Sequence, residues 1–194
     1  MQSDVNLVFV GPSLATTSIA ITSAAVGSTG ILDMAAGTML DTTSVTTYAK
    51  CPMTIGNASV FGEDLGVGPW RLTPFVTIGT AFTTGGTSLN VAWQGAVDAS
   101  GGTYPANISG LTWTTYAETG AITTATLIAA GANAKIPTPD WPHRAIQAAL
   151  PRFIRLLFTP VGTLATGTIS FAGLVMPRAD SPVGLYPSGF SVGS

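Results

Sequence analysis

Alternation of apolar and polar positions is the main signal along this chain, and it is clearest from Trp70 to Val97. Leu72, Pro74, Val76 and Ile78 fall on one face of an extended segment, with Arg71, Thr73, Phe75 and Thr77 on the other. Beyond Thr83 to Gly86, Leu89, Val91 and Trp93 oppose Asn90, Ala92 and Gln94. Period two on both sides of a Thr-Thr-Gly-Gly connection predicts two half-buried antiparallel strands joined as a hairpin. Pro74 cannot donate to a ladder, so its strand is expected to be an edge there or to carry a bulge.

The remaining apolar runs read as further strands. Val5 to Val10 stops at Gly11-Pro12, a strong breaker pair. Leu14 to Thr22 alternates through Ile19 and Ile21, and Ile31 to Met34 is a third short segment. From Ala35 to Gly62 the periodicity fades into small polar residues, which predicts a long loop or arm, a kind of segment that often carries contacts. Asp98 to Tyr104 is a turn cluster. Leu111 to Tyr116 and Ile122 to Ala129 are candidate strands, and Pro137, Pro139 and Pro142 oppose regular structure around Trp141.

A helix competes only between His143 and Phe158. Ile146, Leu150, Phe153, Ile154 and Leu157 have helical spacing, but Pro151 breaks an interior turn. A helical turn over His143 to Ala149 and a strand over Arg152 to Thr159 satisfy both signals. In Gly167 to Met176, Ile169, Phe171 and Gly173 are expected to face away from Thr168, Ser170, Ala172 and Leu174. Short strands separated by turns predict a single all-β domain, an antiparallel β-sandwich of jelly-roll type with a long loop or arm near residues 35–62.

Composition narrows the functional classes. The chain has 194 residues, enough for one domain that buries about 70% of its unfolded surface. Apolar residues make up 46% and charged residues 8%, against a usual charged share of about 25%. Such weakly solvated surfaces tend to associate, so solubility is expected within an assembly. A formal net charge of -2 with seven scattered Lys and Arg residues disfavours nucleic acid as a main partner. Cys51 is the single cysteine, so no intrachain disulfide forms. The uncharged run from Val5 to Leu32 is too rich in Thr, Ser and Gly for a membrane span, and no basic segment precedes it. A soluble, untargeted protein is expected.

The candidate chemistry is thin. Gly189 to Gly193 satisfies G-x-S-x-G, but a nucleophile elbow needs a helix after Ser191, where the sequence ends, and a histidine downstream, whereas His143 lies upstream. His143 and Asp140 have no further carboxylates or histidines to complete a general-base site. One Cys, one His and dispersed acids offer no metal-ligand spacing. Gly66 and Gly68 lack the third glycine and the following helix of a phosphate loop. The Asn57 and Asn107 sequons need a secretory context. Trp70, Trp93, Trp113 and Trp141 serve either as core or as stacking platforms for sugar rings. Arg152 and Arg155, placed on opposite faces by period two, read as solvated surface or as a patch for an acidic partner. No catalytic residue, cofactor or metal is assigned, and a binding or structural protein is expected.

Four patterns in order carry a resemblance. They are Asp64 to Leu72; Thr80 to Gly86 leading into Leu89 to Trp93; Pro151 to Leu156 with the Thr-rich Gly162 to Gly167; and Tyr186 to Phe190. With the opening strand at Asp4 to Phe9, the chain from about Leu65 onward resembles the Bbp16-type capsid cement proteins of tailed bacteriophages. The resemblance implies a jelly roll with a short extended tail from about residue 179. It implies docking on the outside of an HK97-like shell, with the major capsid protein and further copies of the chain, as dimer or trimer, for partners. Contact by Arg144, Arg152, Arg155, Tyr48, Phe61, Tyr186 and Phe190 is the expectation. Gly37 to Phe61 is longer than the family pattern and is a candidate for additional lattice or self contacts. The alternative from another class is a carbohydrate-binding jelly roll of a virion appendage.

Overall fold

The computed structural model describes residues 3–11, 17–33, 38–41, 73–96, 111–139 and 151–175. In chain order these form β1 (Ser3–Val10), β2 (Ile19–Ala20), β3 (Val26–Gly27), β4 (Gly30–Asp33), β5 (Thr38–Asp41), β6 (Thr73–Ile78), β7 (Ser88–Ala96), β8 (Thr114–Glu118), β9 (Ile122–Thr123), α1 (Thr124–Ala130), β10 (Lys135–Ile136), β11 (Phe153–Val161) and β12 (Thr168–Val175). The strands make two antiparallel sheets. One runs β1-β12-β6-β10 with β2 beside β12; the other runs β5-β4-β11-β7-β8 with β3 on β11 and β9 on β7.

The two sheets face each other across one core, so the protein is an all-β sandwich. Phe9, Val76, Ile78, Ile169 and Ala172 from the first sheet pack with Leu89, Val91, Trp93, Leu156 and Phe158 from the second. Phe9 meets Trp93 edge-on, with ring centroids 5.3 Å apart and planes at 70°, an arrangement that adds about 1 kcal/mol to area burial. The axis of the second sheet is β7. It pairs with β11 along its whole length, from Phe153 opposite Ala96 to Val161 opposite Ser88.

The inner faces predicted by alternation are those observed, but the hairpin is not. Pro74, Val76 and Ile78 are buried, as are Leu89, Val91 and Trp93. Yet β6 lies between β12 and β10, and β7 lies between β11 and β8. The segment between them changes sheets instead of turning back. Both arms carry an apolar face, and setting them on opposite layers lets those faces bury each other. The glycine pair serves a different purpose from a hairpin turn. Gly85 bridges to Leu164, and Thr87 N–H donates to the Val161 carbonyl at 2.7 Å. A Cβ on Gly86 would lie 2.6 Å from the Leu164 side chain, so only glycine lets the two loops close together.

Pro74 behaves as an edge residue. Its carbonyl accepts from Thr138 Oγ1 at 3.2 Å, just past the two residues of β10. Within an antiparallel strand the N and O of one residue point to the same side. The missing N–H therefore faces the end of β10 and costs the β12 ladder nothing.

Three other expectations are corrected. Part of the predicted loop at 35–62 is the strand β5, which pairs with β4 from Gly30 opposite Asp41 to Asp33 opposite Thr38. Ile122 to Ala129 is not one strand: after β9 the chain turns into α1. Thr123 caps that helix by accepting from Thr126 N–H, and Leu127 is its buried residue. Ala-rich sequence behind a threonine cap favours helix over strand. In β12 a register shift between Ile169 and Phe171 inserts one residue. Ala172 consequently joins Ile169 in the core, while Phe171 points outward to meet Phe75 at 6.2 Å. Elsewhere the predicted strands stand with small changes of boundary, although the run at Leu14 to Thr22 contributes only β2 among the described residues.

Candidate interaction surface

The outer face of the second sheet gathers the polar and aromatic residues of most interest. Along β11, Ile154, Leu156 and Phe158 point into the core, so Phe153 and Arg155 point out. Arg155 lies directly opposite Gln94 on β7, and Gln94 lies opposite Thr115 on β8. On its other side β11 meets β3, with Leu157 opposite Gly27. Arg155, Gln94 and Thr115 thus form one row across three strands, and the Arg155 side chain reaches diagonally to Gly27 on a fourth.

Hydrogen bonds run along this row. Arg155 Nε donates to Gln94 Oε1 at 2.9 Å, and Gln94 Nε2 donates to Thr115 Oγ1 at 3.2 Å. Gln94 is 8% exposed, so both ends of its amide need partners, and both have them. The guanidinium carbon lies 4.1 Å from the centroid of the Trp113 ring, a close cation–π contact. On the Gly27 side, a Cβ would sit 3.0 Å from an Arg155 terminal nitrogen and 3.3 Å from its guanidinium carbon. Glycine leaves the room that the arginine occupies. Burial lowers the Arg155 pKa, because desolvation penalises the charged form.

The neighbouring packing is apolar. Ile31, Ala96 and Phe153 form a small buried cluster, with Leu111 and Trp113 packed against it. Arg152 belongs to the same place. Its guanidinium carbon is 4.9 Å from the Phe153 centroid, and its backbone N–H donates to Ala96 O at 3.0 Å. The arginines are therefore neither on opposite faces nor simply solvated. Arg152 precedes β11 and escapes its alternation, and it is only 9% exposed, so most of its area already serves this chain's own packing.

Of the other candidates, Tyr48, Phe61, Arg144, Tyr186 and Phe190 lie outside the described residues, as do His143, Ser191, Cys51, Trp70 and Trp141. Trp93 is a core residue. Gln94 and Thr115 stand out in the sequence only by their place in the alternation, and Trp113 only as core or a stacking platform. A glutamine beside a core tryptophan in so uncharged a chain was the available signal. Among the described residues no group of three or more His, Cys, Asp or Glu could hold a metal ion, and no helix is long and apolar enough to cross a membrane.

This constellation suits binding: one fixed cation, an aromatic platform and an apolar border. Comparison with family models found no match, and comparison with curated proteins found no significant relative.

Proposed function

We propose that the chain is a structural capsid cement protein of a tailed bacteriophage. In this reading it is a jelly roll that binds the outer surface of an HK97-like shell in the virion and, as a homo-oligomer made in the host cytoplasm, bridges neighbouring capsomers of the major capsid protein. One observation carries the reading. Segments that bear the resemblance, far apart in sequence, are interlocked in the fold: Leu89 to Trp93 pairs with the β11 strand, and Thr80 to Gly86 docks on Gly162 to Gly167. Thr166 Oγ1 donates to the Ala81 carbonyl and accepts from Thr83 Oγ1, each at 3.0 Å. Two of the four patterns thus meet in the fold, which supports a shared architecture; Asp64 to Leu72 and Tyr186 to Phe190 lie outside the described residues.

The physical demands of the role agree with this surface. A lattice pressed outward by packed DNA is stabilised by molecules that bridge its subunits, and weak feet suffice when an oligomer presents several at once. Low charge and small Thr and Ala side chains permit close approach to strand edges. The carbohydrate-binding alternative has less support. Trp93 is buried, and one face of Trp113 is occupied by Arg155.

Copy number in purified particles tests the proposal. Quantitative mass spectrometry is expected to find on the order of hundreds of copies, in a simple ratio to the major capsid protein, as a repeating lattice requires. A handful of copies per particle, or none, would overturn it.

A further inference from the structure

We infer that Arg155, framed by Gly27, Gln94 and Trp113, is a preformed receptor for a carboxylate of the partner protein, an Asp or Glu side chain presented by the shell subunit. The identity of that partner rests on the cement reading; the carboxylate site itself does not.

Four observations lead there. A guanidinium carries five N–H donors, and only Nε of Arg155 has an acceptor among the described residues. The one acidic side chain described, Glu118, accepts from Asn90 instead. A cation withdrawn from water without a counter-charge is costly, and proteins ordinarily pair such groups. A charge without a counter-charge among the described side chains is notable in a chain with only 8% charged residues.

The side chain is also already ordered. Gln94 holds Nε, Thr115 holds Gln94, and Trp113 flanks the guanidinium. A carboxylate arriving here gains charge-assisted, two-pronged hydrogen bonds without first having to immobilise a flexible side chain. Beside the guanidinium the partly exposed apolar side chains are Trp113 and Leu111, which rest on the buried Ile31, Ala96 and Phe153, and a partner covering them would leave the new pair poorly screened by water.

A purely structural clamp explains less, because the cation–π contact with Trp113 and the single bond to Gln94 leave the rest of the guanidinium's donors unused among the described residues. Phosphate is the weaker choice of anion, because the chain has a formal net charge of -2 and this site presents a single free fork.

The test uses the full chain. Arg155 Nε–Hε and Trp113 Nε1–Hε1 signals are followed by NMR while N-acetyl-aspartate, N-acetyl-asparagine or inorganic phosphate is added. Saturable shifts with N-acetyl-aspartate alone are expected, and they should vanish in Arg155→Gln and weaken in Arg155→Lys, which keeps the charge but lacks the planar fork. Absence of saturation up to the solubility of the probe, equal shifts with N-acetyl-asparagine, or tighter binding of phosphate would each overturn the assignment. In a second arm, wild type and Arg155→Gln, matched by melting curve, are bound to heads lacking the protein. A loss of about thirtyfold or more is expected, the scale of truncating one partner of a buried charge pair. Equal binding of both would overturn the role of Arg155 while leaving the cement reading intact. Aspartate binding by a chain that ignores the shells would do the reverse.

Discussion

The indole nitrogen of Trp93 donates to the Pro139 carbonyl at 2.9 Å, and this bond ties β7 of one sheet to the segment following β10 in the other. Trp93 thus acts twice across the core, through its ring against Phe9 and through its N–H. Trp93→Phe removes the donor, leaves the buried Pro139 carbonyl without that bond and opens a small void. A loss of about 2–4 kcal/mol is expected. Thermal melting should show a midpoint lower by about 5–15 °C.

Two glycines with positive φ separate backbone strain from overpacking. Gly167 has φ +140°, and a Cβ there would lie 2.2 Å from two carbons of the Phe82 ring. Gly120 has φ +71° with nothing within 4 Å. Gly120→Ala should cost about 1 kcal/mol, the backbone term alone. Gly167→Ala should cost about 3 kcal/mol or more, because a fully buried ring must also move. Urea midpoints of the two variants, with unchanged slopes, measure the difference.

The coupling of Arg155 to Gln94 is accessible to a double-mutant cycle. Arg155→Met, Gln94→Leu and the double variant should give an interaction energy of about 1–2 kcal/mol, the range for a hydrogen bond to a charged group in a partly buried setting. The coupling should change little with added salt, since Gln94 is neutral. A cycle that closes to zero in denaturant melts would show that the row is not an energetic unit.

Thr123 is the cap of a seven-residue helix that has a single buried anchor, Leu127. Thr123→Ala should cost about 1 kcal/mol. The effect should be local. Amide exchange is expected to accelerate at Gly131, whose N–H bonds the Leu127 carbonyl at 3.4 Å, and to remain unchanged in the β7–β11 ladder.

Much of the sandwich was legible in the chain. Alternation identified the buried faces of β6 and β7 because side chains on an extended backbone must take opposite sides, whatever the partner. Pro74 announced an edge because a missing N–H is a local fact. Low charge and a lone cysteine likewise bound the chemistry without any fold.

Pairing was decided only in three dimensions. Every strand offers the same backbone donors and acceptors, so the Thr83 to Gly86 turn was compatible with a hairpin and with a crossing between sheets; burial of both apolar faces chose the crossing. One residue inserted in β12 moved Ala172 inward and Phe171 outward, and parity read from sequence cannot register such an insertion. Arg152, Arg155, Gln94, Trp113 and Thr115 come from separate stretches of the chain. Residue identity makes each of them polar or aromatic, but they form one surface only because β7 lies between β8 and β11.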